Sequence, residues 1–145
     1  MKAVVQRVQR GGVSVGEETL AEIQEGVVIL LGVSPQDDEA VARKLAEKIA
    51  RMRIFPDENR KMNISLLDIS GEALVIPQFT LFADTHRGHR PSFTDAGPPE
   101  IAEPLSTYFA ECLRALGIPT GEGKFGAHMV VEIINDGPVT ISLEM

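Results

Sequence analysis

The sequence predicts an α+β fold: a curved, mainly antiparallel and barrel-like sheet with two principal helices. Strand-like apolar segments outnumber amphipathic helical segments, and helices do not regularly separate them. Hydrophobic residues make up 43% of the 145 residues and charged residues 24%, a balance that suits one compact core. We therefore expect a single domain over residues 1–145.

Strand segments are predicted throughout the first 33 residues. Residues 2–8 alternate between two faces, which predicts a strand that ends at Gly11-Gly12. Residues 13–15 would then pair back onto it. Residues 26–33 read GVVILLGV, an apolar run too short for a typical helix and rich in branched side chains. This run predicts a strand buried on both faces at the centre of the sheet.

Apolar side chains at helical spacing predict two helices. The first is expected to begin with Ser34 as its cap and Pro35 at its first position, and its buried stripe comprises Val41, Leu45, Ile49 and Met52. The second follows a polar loop, starts near Pro104 and closes at Gly117, and its stripe comprises Leu105, Phe109, Leu113 and Leu116.

The remaining segments complete the predicted sheet. Turn-forming residues in 51–63 predict a hairpin or an exposed loop. In the apolar segment 73–83, Pro77 cannot donate a ladder hydrogen bond, so we expect a strand edge, a bulge or a strand end there. Residues 129–134 and 139–143 are predicted as two final strands joined by a turn at residues 135–138.

Composition disfavours several classes of protein. Arg7 and Arg10 lie where a signal peptide would be apolar, and no apolar run approaches the roughly 20 residues of a membrane span, so a cytoplasmic protein is expected. Cys112 is the only cysteine, which excludes an internal disulfide framework and a multi-cysteine metal site. The sequence contains no glycine-rich phosphate loop, dinucleotide fingerprint or Gly-x-Ser-x-Gly elbow.

Charge argues against a broad nucleic-acid-binding surface. The formal net charge is −7, whereas such surfaces are basic because phosphate contacts dominate the binding. Local clusters of basic residues leave room for a small RNA footprint with few phosphate contacts. DNA binding is not expected.

A weak zinc site could be formed by three closely spaced residues: Asp84, His86 and His89. Arg87 and Arg90 flank these residues and repel a cation, so a solvent-facing loop is the favoured interpretation. We therefore expect neither a metal nor a cofactor.

Two other segments remain open when the residues are considered alone. Thr80 could be a nucleophile, but a threonine hydroxyl needs an activating base, and the sequence identifies none. Residues 135–140 read NDGPVT, which is typical of a hairpin turn. Residue chemistry by itself therefore does not assign a function.

Six segments taken in order resemble those of a single family: AVVQRV, RIFPDENRKMN, PQFTLFAD, RGHRPSF, GKFGAHM and NDGPVT. They look like the D-aminoacyl-tRNA deacylases (the D-tyrosyl-tRNA deacylase family), homodimeric enzymes that hydrolyse the ester joining a D-amino acid, or glycine, to the terminal adenosine of tRNA. The family's two most diagnostic motifs are Ser-Gln-Phe-Thr-Leu and Asn-x-Gly-Pro-Val-Thr. Residues 135–140 match the second completely, and residues 77–81 match the first except at Pro77.

The resemblance implies a role for each matched residue. In the family the Gly-Pro bond is cis and reaches into the partner subunit's active site, so Gly137 and Pro138 would reject L side chains there. The catalytic positions would be Gln78, Phe79 and Thr80, with the backbone amides of the last two forming an oxyanion hole and the substrate's 2′-hydroxyl assisting the attacking water. The terminal adenosine would be received by Phe125, Gly126, Ala127 and Met129.

The resemblance also implies partners: the aminoacyl-tRNA acceptor end and a second copy of the chain, with no membrane. Pro77 lacks the hydroxyl and the N–H of the family's serine. A related animal deacylase group has proline here together with alanine in place of phenylalanine, and it tolerates L-alanine, whereas Phe79 and the intact NDGPVT favour the D-specific type. The alternatives are a permissive deacylase that also acts on L-alanyl-tRNA and a non-catalytic RNA-binding homodimer.

Overall fold

The computed structural model describes residues 1–86 and 88–145, and Arg87 lies outside the described residues. Its helices are α1 (Glu39–Arg51) and α2 (Pro99–Ala115), and a 3-10 helix, Phe79–Phe82, is called the 79–82 turn below. The strands are β1 (Lys2–Val15), β2 (Glu18–Ile23), β3 (Gly26–Gly32), β4 (Arg53–Pro56), β5 (Met62–Ser65), β6 (Glu72–Pro77), β7 (Thr120–Glu122) and β8 (Val130–Glu144).

Most strand pairs are antiparallel. β1 pairs in this way with β2, β3 and β8, and β4 pairs with β5, whereas β3–β6 and β6–β7 are parallel. The predicted α+β fold with a mainly antiparallel sheet and two principal helices is therefore confirmed. Within the described residues, neither helix combines the length and the apolar character needed to cross a membrane.

The central strand β3 is buried on both faces, as predicted. Ile29 and Leu31 point into the larger core, which lies between the sheet and the two helices. Val28 points to the opposite face and joins Leu74 and Ile76 of β6 in a smaller core. Each such fully buried aliphatic side chain contributes about 1.5–3 kcal/mol to the driving force for folding.

The sheet curls into a nearly closed barrel because β1 continues through Gly11-Gly12. The prediction that β1 ends there was wrong. Residues 13–15 belong to the same strand and pair with β2 instead of pairing back onto the start of β1. A Cβ on Gly11 would lie 2.7 Å from Val28 Cγ2, so glycine lets β1 pass close over β3. At the other end of the sheet, a Cβ on Gly121 of β7 would lie 2.7 Å from Ala21 Cβ of β2, which shows how closely these two strands approach.

Helix α1 begins later than predicted. Ser34 is not its cap, because residues 34–38 form a turn in which the Ser34 N–H donates to Asp37 Oδ2 at 2.6 Å. Asp38 is the cap instead, and its carboxylate accepts the Val41 N–H at 2.9 Å. Leu45 and Ile49 are buried as predicted, together with Ala42, Ala46 and Ala50.

Helix α2 follows the prediction more closely. It starts at Pro99, five residues before Pro104, which lies inside the helix. Leu105, Phe109 and Leu113 are buried, and Gly117 follows the helix with φ +87°. The predicted hairpin in residues 51–63 is also confirmed, by the β4–β5 pair.

The predicted hairpin at residues 135–138 is wrong. Residues 130–144 form one strand, β8, and both of its halves pair with β1. Between the pairs Gln6–Thr140 and Val8–Asn135, β8 advances five residues while β1 advances two. The surplus residues of β8 protrude, and we call residues 135–139 the bulge.

Candidate active site

The 79–82 turn is placed by the ends of two parallel strands. Pro77 pairs with Leu31 at the end of β6, which confirms the strand end predicted there, and the Gln78 N–H then donates to the Leu31 carbonyl at 2.7 Å. Gly32 lies directly beneath the turn. A Cβ at Gly32 would lie 2.9 Å from Phe82 Cε2 and 3.2 Å from the Gln78 carbonyl oxygen, so the turn depends on glycine at this position.

The first two amides of the turn are free to bind a ligand. Among the described residues, neither the Phe79 N–H nor the Thr80 N–H donates to a protein acceptor. Such free donors are the rule at the start of a helical turn. The Thr80 hydroxyl accepts a short hydrogen bond from the side-chain amide of Gln78. The turn therefore presents backbone donors next to a hydroxyl that is already engaged.

The loop of residues 123–129 faces the turn. The Lys124 N–H lies 3.3 Å from Met129 Sδ and the Ala127 N–H donates to the Lys124 carbonyl at 3.2 Å, so the loop folds back on itself. Gly126 adopts φ +71° in this loop. A Cβ on Gly123 would lie 2.7 Å from Met129 Sδ, so the lack of a side chain at Gly123 lets this sulphur lie close to the backbone of the loop.

Turn and loop together enclose a pocket of about 240 Å³. Five of the residues predicted for the site line it: Gln78, Phe79, Gly126, Ala127 and Met129. Thr80 and Phe125 are not among its lining residues, and Phe125 is half-buried against the larger core. The pocket is also lined by Ile76, Pro77, His128 and Val131, none of which was predicted as a site residue.

Phe79 is 58% exposed although it is aromatic. Its ring packs edge to face against Phe93, with the ring centroids 5.1 Å apart. Phe93 lies in the polar loop before α2, at the end of the matched segment RGHRPSF, but it was not predicted as a site residue. The exposed ring of Phe79, which lines the pocket, is thus supported by the half-buried ring of Phe93.

The bulge lies apart from this pocket. Gly137 and Pro138 are exposed, line no part of it, and are joined by a cis peptide bond. Gly137 has φ +121°, a backbone conformation that residues with side chains rarely adopt. The structure thus places the two predicted chiral-selection residues together, but away from the predicted catalytic residues of the same chain.

Arg7 holds the bulge in place. Its side chain is 10% exposed, and its Nε lies 2.8 Å from Asp136 Oδ2 in an ion pair, although no acceptor among the described residues is aligned with the Nε–H. Arg7 Nη1 donates to the Ile54 carbonyl at 2.6 Å. Asn135 Nδ2 donates to the carbonyls of Arg7 and Val139, at 2.9 Å and 3.1 Å. Arg7 therefore ties the bulge to both β1 and β4.

The candidate zinc spacing gives a different arrangement. Asp84 Oδ1 accepts the backbone N–H of His86 and lies 2.6 Å from His86 Nδ1, and these two contacts lower the pKa of Asp84. Among residues 1–86 and 88–145, no three His, Cys, Asp or Glu side chains are grouped as metal ligands.

Comparisons with known proteins agree with one another. The profile of the D-Tyr-tRNA(Tyr) deacylase family matches residues 4–144. A D-aminoacyl-tRNA deacylase of Roseiflexus sp. (strain RS-1) is 59% identical over 144 residues, which cover 99% of this chain and 93% of that protein. A D-aminoacyl-tRNA deacylase of Deinococcus radiodurans is 54% identical over 145 residues and is covered completely, as is this chain.

Two solved structures have the same fold. One, named c-Myc DNA Unwinding Element Binding Protein, has a TM-score of 0.92 and 43% identity, with 100% of this chain and 99% of that chain covered. The other, a probable eukaryotic D-amino acid tRNA deacylase, has a TM-score of 0.85 at 16% identity, with 99% and 98% covered, and bears on the fold alone. Given the profile match over residues 4–144 and the full-length relatives at 54% and 59% identity, this chain belongs to the D-Tyr-tRNA(Tyr) deacylase family.

Proposed function

We propose that this protein hydrolyses the ester bond of D-aminoacyl-tRNA, and of mischarged glycyl-tRNA, to free tRNA and amino acid. The observation that carries the proposal is a pocket of about 240 Å³ beside two backbone amides that have no acceptor among the described residues. Relatives at 54% and 59% identity are named D-aminoacyl-tRNA deacylases, which supports the same reaction. Residues 1–145 would act as one proofreading domain in the cytoplasm, where aminoacyl-tRNA is used.

The proposed chemistry uses the backbone. When water attacks the ester carbonyl, negative charge develops on the carbonyl oxygen, and the amides of Phe79 and Thr80 would stabilise it. Removing one such donor in other acyl-transfer enzymes lowers kcat by roughly 10²–10³. The ester is already reactive, so positioning, together with help from the substrate's 2′-hydroxyl, supplies the rest.

In this proposal Thr80 is not a covalent nucleophile. A hydroxyl nucleophile needs a general base within hydrogen-bond reach. The partner that the Thr80 hydroxyl has is the amide nitrogen of Gln78, which is a donor and cannot remove a proton. Gln78 instead positions the turn that carries the amides.

Chiral selection is assigned to Gly137 and Pro138 acting across a dimer. Gly137 and Pro138 are not among the residues that line their own chain's pocket, although Val131, six residues earlier on the same strand, is. The bulge is therefore assigned to the partner's pocket. The backbone carbonyls of Gly137 and Pro138, placed at the partner's pocket, would face the substrate's α-amino group and exclude an L side chain by collision. A glycyl group has no Cβ and would be accepted. Collision with a rigid backbone can discriminate strongly, whereas a pocket that recognises one extra methylene gains only about 1–3 kcal/mol of discrimination.

The surface of β8 supports a homodimer. Within the described residues β8 pairs with β1 alone, so its outer edge has no strand partner. Val130 and Ile134 on this strand are 64% and 41% exposed. Apolar side chains on an unpaired edge are typical of a surface that a partner covers.

The terminal adenosine is assigned to Phe125, Gly126, Ala127 and Met129. Gly126, Ala127 and Met129 line the pocket, which supports this part of the assignment. Phe125 packs against the core, and its contribution would be to hold the loop in shape.

Pro77 favours one alternative, a permissive deacylase that also accepts L-alanyl-tRNA. Pro77 lines the pocket next to Gln78, where the family's serine would offer a hydroxyl and an N–H. Because Phe79 is retained, D-specific hydrolysis remains the proposal.

The deciding experiment is a hydrolysis assay with four charged tRNAs. We expect D-tyrosyl-tRNA to be hydrolysed and L-tyrosyl-tRNA to be spared. Equal hydrolysis of D- and L-alanyl-tRNA would establish the permissive alternative, and binding of tRNA without any turnover would establish a non-catalytic RNA-binding protein.

A further inference from the structure

The basic residues of this acidic chain are unevenly distributed. Residues 43–61 contain seven of the 14 Lys and Arg residues and three acidic residues, a net charge of +4. The rest of the chain contains seven basic and 18 acidic residues, a net charge of −11. At about 0.1 M ionic strength the Debye length is about 10 Å, so a polyanion lying on this segment is largely screened from the more distant acidic residues.

These seven residues also differ in their partners from four of the six other basic residues that the structure describes. Lys2, Arg7, Arg10 and Arg114 each form an ion pair with a carboxylate. Within the described part of the chain, none of the basic residues in 43–61 does so. Asp57 could have neutralised Lys61, but its Oδ1 instead accepts the backbone N–H groups of Asn59 and Lys61.

Six of the seven residues are exposed side chains on α1 and on the β4–β5 hairpin that follows it, and we call them together the basic ridge. Lys44, Lys48 and Arg51 are spaced i, i+4 and i+7, so they share one face of α1 and span about 10 Å at about 1.5 Å per residue. Together with Glu47 and Met52 they line a shallow groove. The ridge continues into the β4–β5 hairpin with three more exposed side chains: Arg53, Arg60 and Lys61.

Arg43 does not belong to this ridge although it is on the same helix. It lines a different groove, between α1 and α2, together with Tyr108 and Cys112 of α2. This makes Arg43 a useful reference, because its removal changes the net charge equally on a neighbouring face.

The ridge begins next to the bulge. Ile54, the residue after Arg53, accepts a hydrogen bond from Arg7 Nη1 at 2.6 Å, and Arg7 pairs with Asp136 of the bulge at 2.8 Å. Exposed cations without an ion-paired carboxylate, on α1 and on the hairpin next to this position, match the spaced charges of a nucleic-acid backbone. We propose that the basic ridge binds the phosphate backbone of the tRNA acceptor arm whose 3′ end reaches the Gly137-Pro138 bulge.

This inference rests on the proposed function, and two substrates separate them. D-tyrosyl-tRNA carries the acceptor arm, whereas 3′-O-D-tyrosyl-adenosine carries the same ester and adenosine without a phosphate backbone. The test variant is Lys48→Gln/Arg51→Gln. The charge-matched control is Arg43→Gln/Arg114→Gln, which removes the same formal charge outside the ridge, from the groove between α1 and α2 and from the Arg114–Glu122 ion pair.

We expect the ridge variant to raise KM for D-tyrosyl-tRNA about tenfold at 0.1 M salt. Loss of two phosphate contacts should also make the salt dependence of log kcat/KM shallower by about 1.4–1.8, since each contact contributes about 0.7–0.9. Hydrolysis of the adenosine ester should stay within twofold of wild type, and the control variant should match wild type on both substrates.

Three outcomes would overturn the inference. These are an unchanged salt slope in the ridge variant, equal losses on both substrates, and an equal change in the control variant. A wild-type protein that hydrolyses neither substrate would contradict the proposed function instead. In that case the affinity of uncharged tRNA for the ridge variant, measured against wild type, still decides the inference.

A competition experiment identifies the nucleic acid. Duplex DNA as long as the acceptor arm should compete with D-tyrosyl-tRNA less effectively than the matching RNA duplex. Equal competition by DNA, lost in the ridge variant, would replace the tRNA assignment with a general nucleic-acid surface.

Discussion

The 79–82 turn and the bulge of β8 both present backbone groups, but the fold supports them in different ways. The turn is concave: Gly32 lies beneath it, buried Phe82 anchors it, and the 123–129 loop faces it across the pocket. The bulge is convex and exposed, and Arg7, Gln9 and Asn135 make its side-chain attachments. The turn should therefore respond to changes of shape beneath it, and the bulge to the loss of individual attachments.

The largest effect is expected for Gly137→Ala. Its φ of +121° is unfavourable for alanine, and the new Cβ would lie 2.8 Å from Val139 Cγ2 and 3.0 Å from Arg7 Nη2. The substitution should displace the bulge and remove about 3 kcal/mol of discrimination, which is about a hundredfold in the ratio of D- to L-tyrosyl-tRNA hydrolysis.

Gly16→Ala is the control for backbone conformation alone. Gly16 has φ +59°, and a Cβ there meets nothing within 4 Å. The ratio of D- to L-tyrosyl-tRNA hydrolysis in the Gly16→Ala variant should equal that of wild type. A ratio within threefold of wild type in Gly137→Ala would remove the bulge from chiral selection.

The second-largest effect is expected for Arg7→Ala. It leaves Asp136 without its cation and the buried Ile54 carbonyl without its donor, which should cost about 2–3 kcal/mol of unfolding free energy in a urea titration. A loosened bulge should also lower the D to L ratio about tenfold, since about 1.4 kcal/mol corresponds to that factor.

Arg10→Ala removes a second β1–β8 ion pair for comparison. Arg10 and Glu132 are both about half exposed, at 54% and 52%, so this loss should stay below about 1 kcal/mol. If the two variants are equally stable, Arg7 does not have the special anchoring role assigned to it.

Gly32→Ala tests the turn. A Cβ 2.9 Å from Phe82 Cε2 and 3.2 Å from the Gln78 carbonyl should push the turn outward. Misplacement of about 1 Å can cost up to about a hundredfold in rate, and we expect kcat to fall about tenfold with D-tyrosyl-tRNA. Gly12→Ala, where the nearest atom is 3.7 Å away, should leave kcat unchanged, and a loss shared by both variants would point to general destabilisation.

The smallest effect is expected for Thr80→Ala, because the proposed chemistry uses the N–H and not the hydroxyl. The single-turnover rate of D-tyrosyl-tRNA hydrolysis should fall less than about fivefold. Removal of a true nucleophile costs several orders of magnitude, so a loss of that size would establish the covalent mechanism.

Sequence reasoning succeeded where a local pattern decides the structure. The apolar run of β3, the stripe of α2 and the strand end at Pro77 each follow from residue spacing or from the missing N–H of proline. It failed at Gly11-Gly12 and at residues 135–138, where glycine and proline suggested chain reversal. In both places the chain stays in one strand, because pairing with a distant segment outweighs the local turn preference.

The candidate site was predictable only in part. Gln78, Phe79, Gly126, Ala127 and Met129 could be named from motifs and do meet at one pocket. Gly32 could not, because a glycine that makes room for a neighbour has no pattern of its own, and Phe93 closes the matched segment RGHRPSF without any predicted role. Their positions depend on contacts between segments that are far apart in the chain.

The two-ended attachment of β8 constrains how its length can change. Its halves are registered separately on β1, from Val130 to Asn135 and from Thr140 to Glu144. Deleting one residue between them would either shorten the bulge that carries Gly137 or shift one half by a single position, which would exchange its inward and outward faces and move Val131 or Ile141 to the wrong side. Deleting two would either shorten the bulge further or shift one half by two positions, which keeps its faces but changes its partners on β1. Insertions and deletions are therefore restricted here more tightly than substitutions, in a segment that looks like an ordinary surface turn.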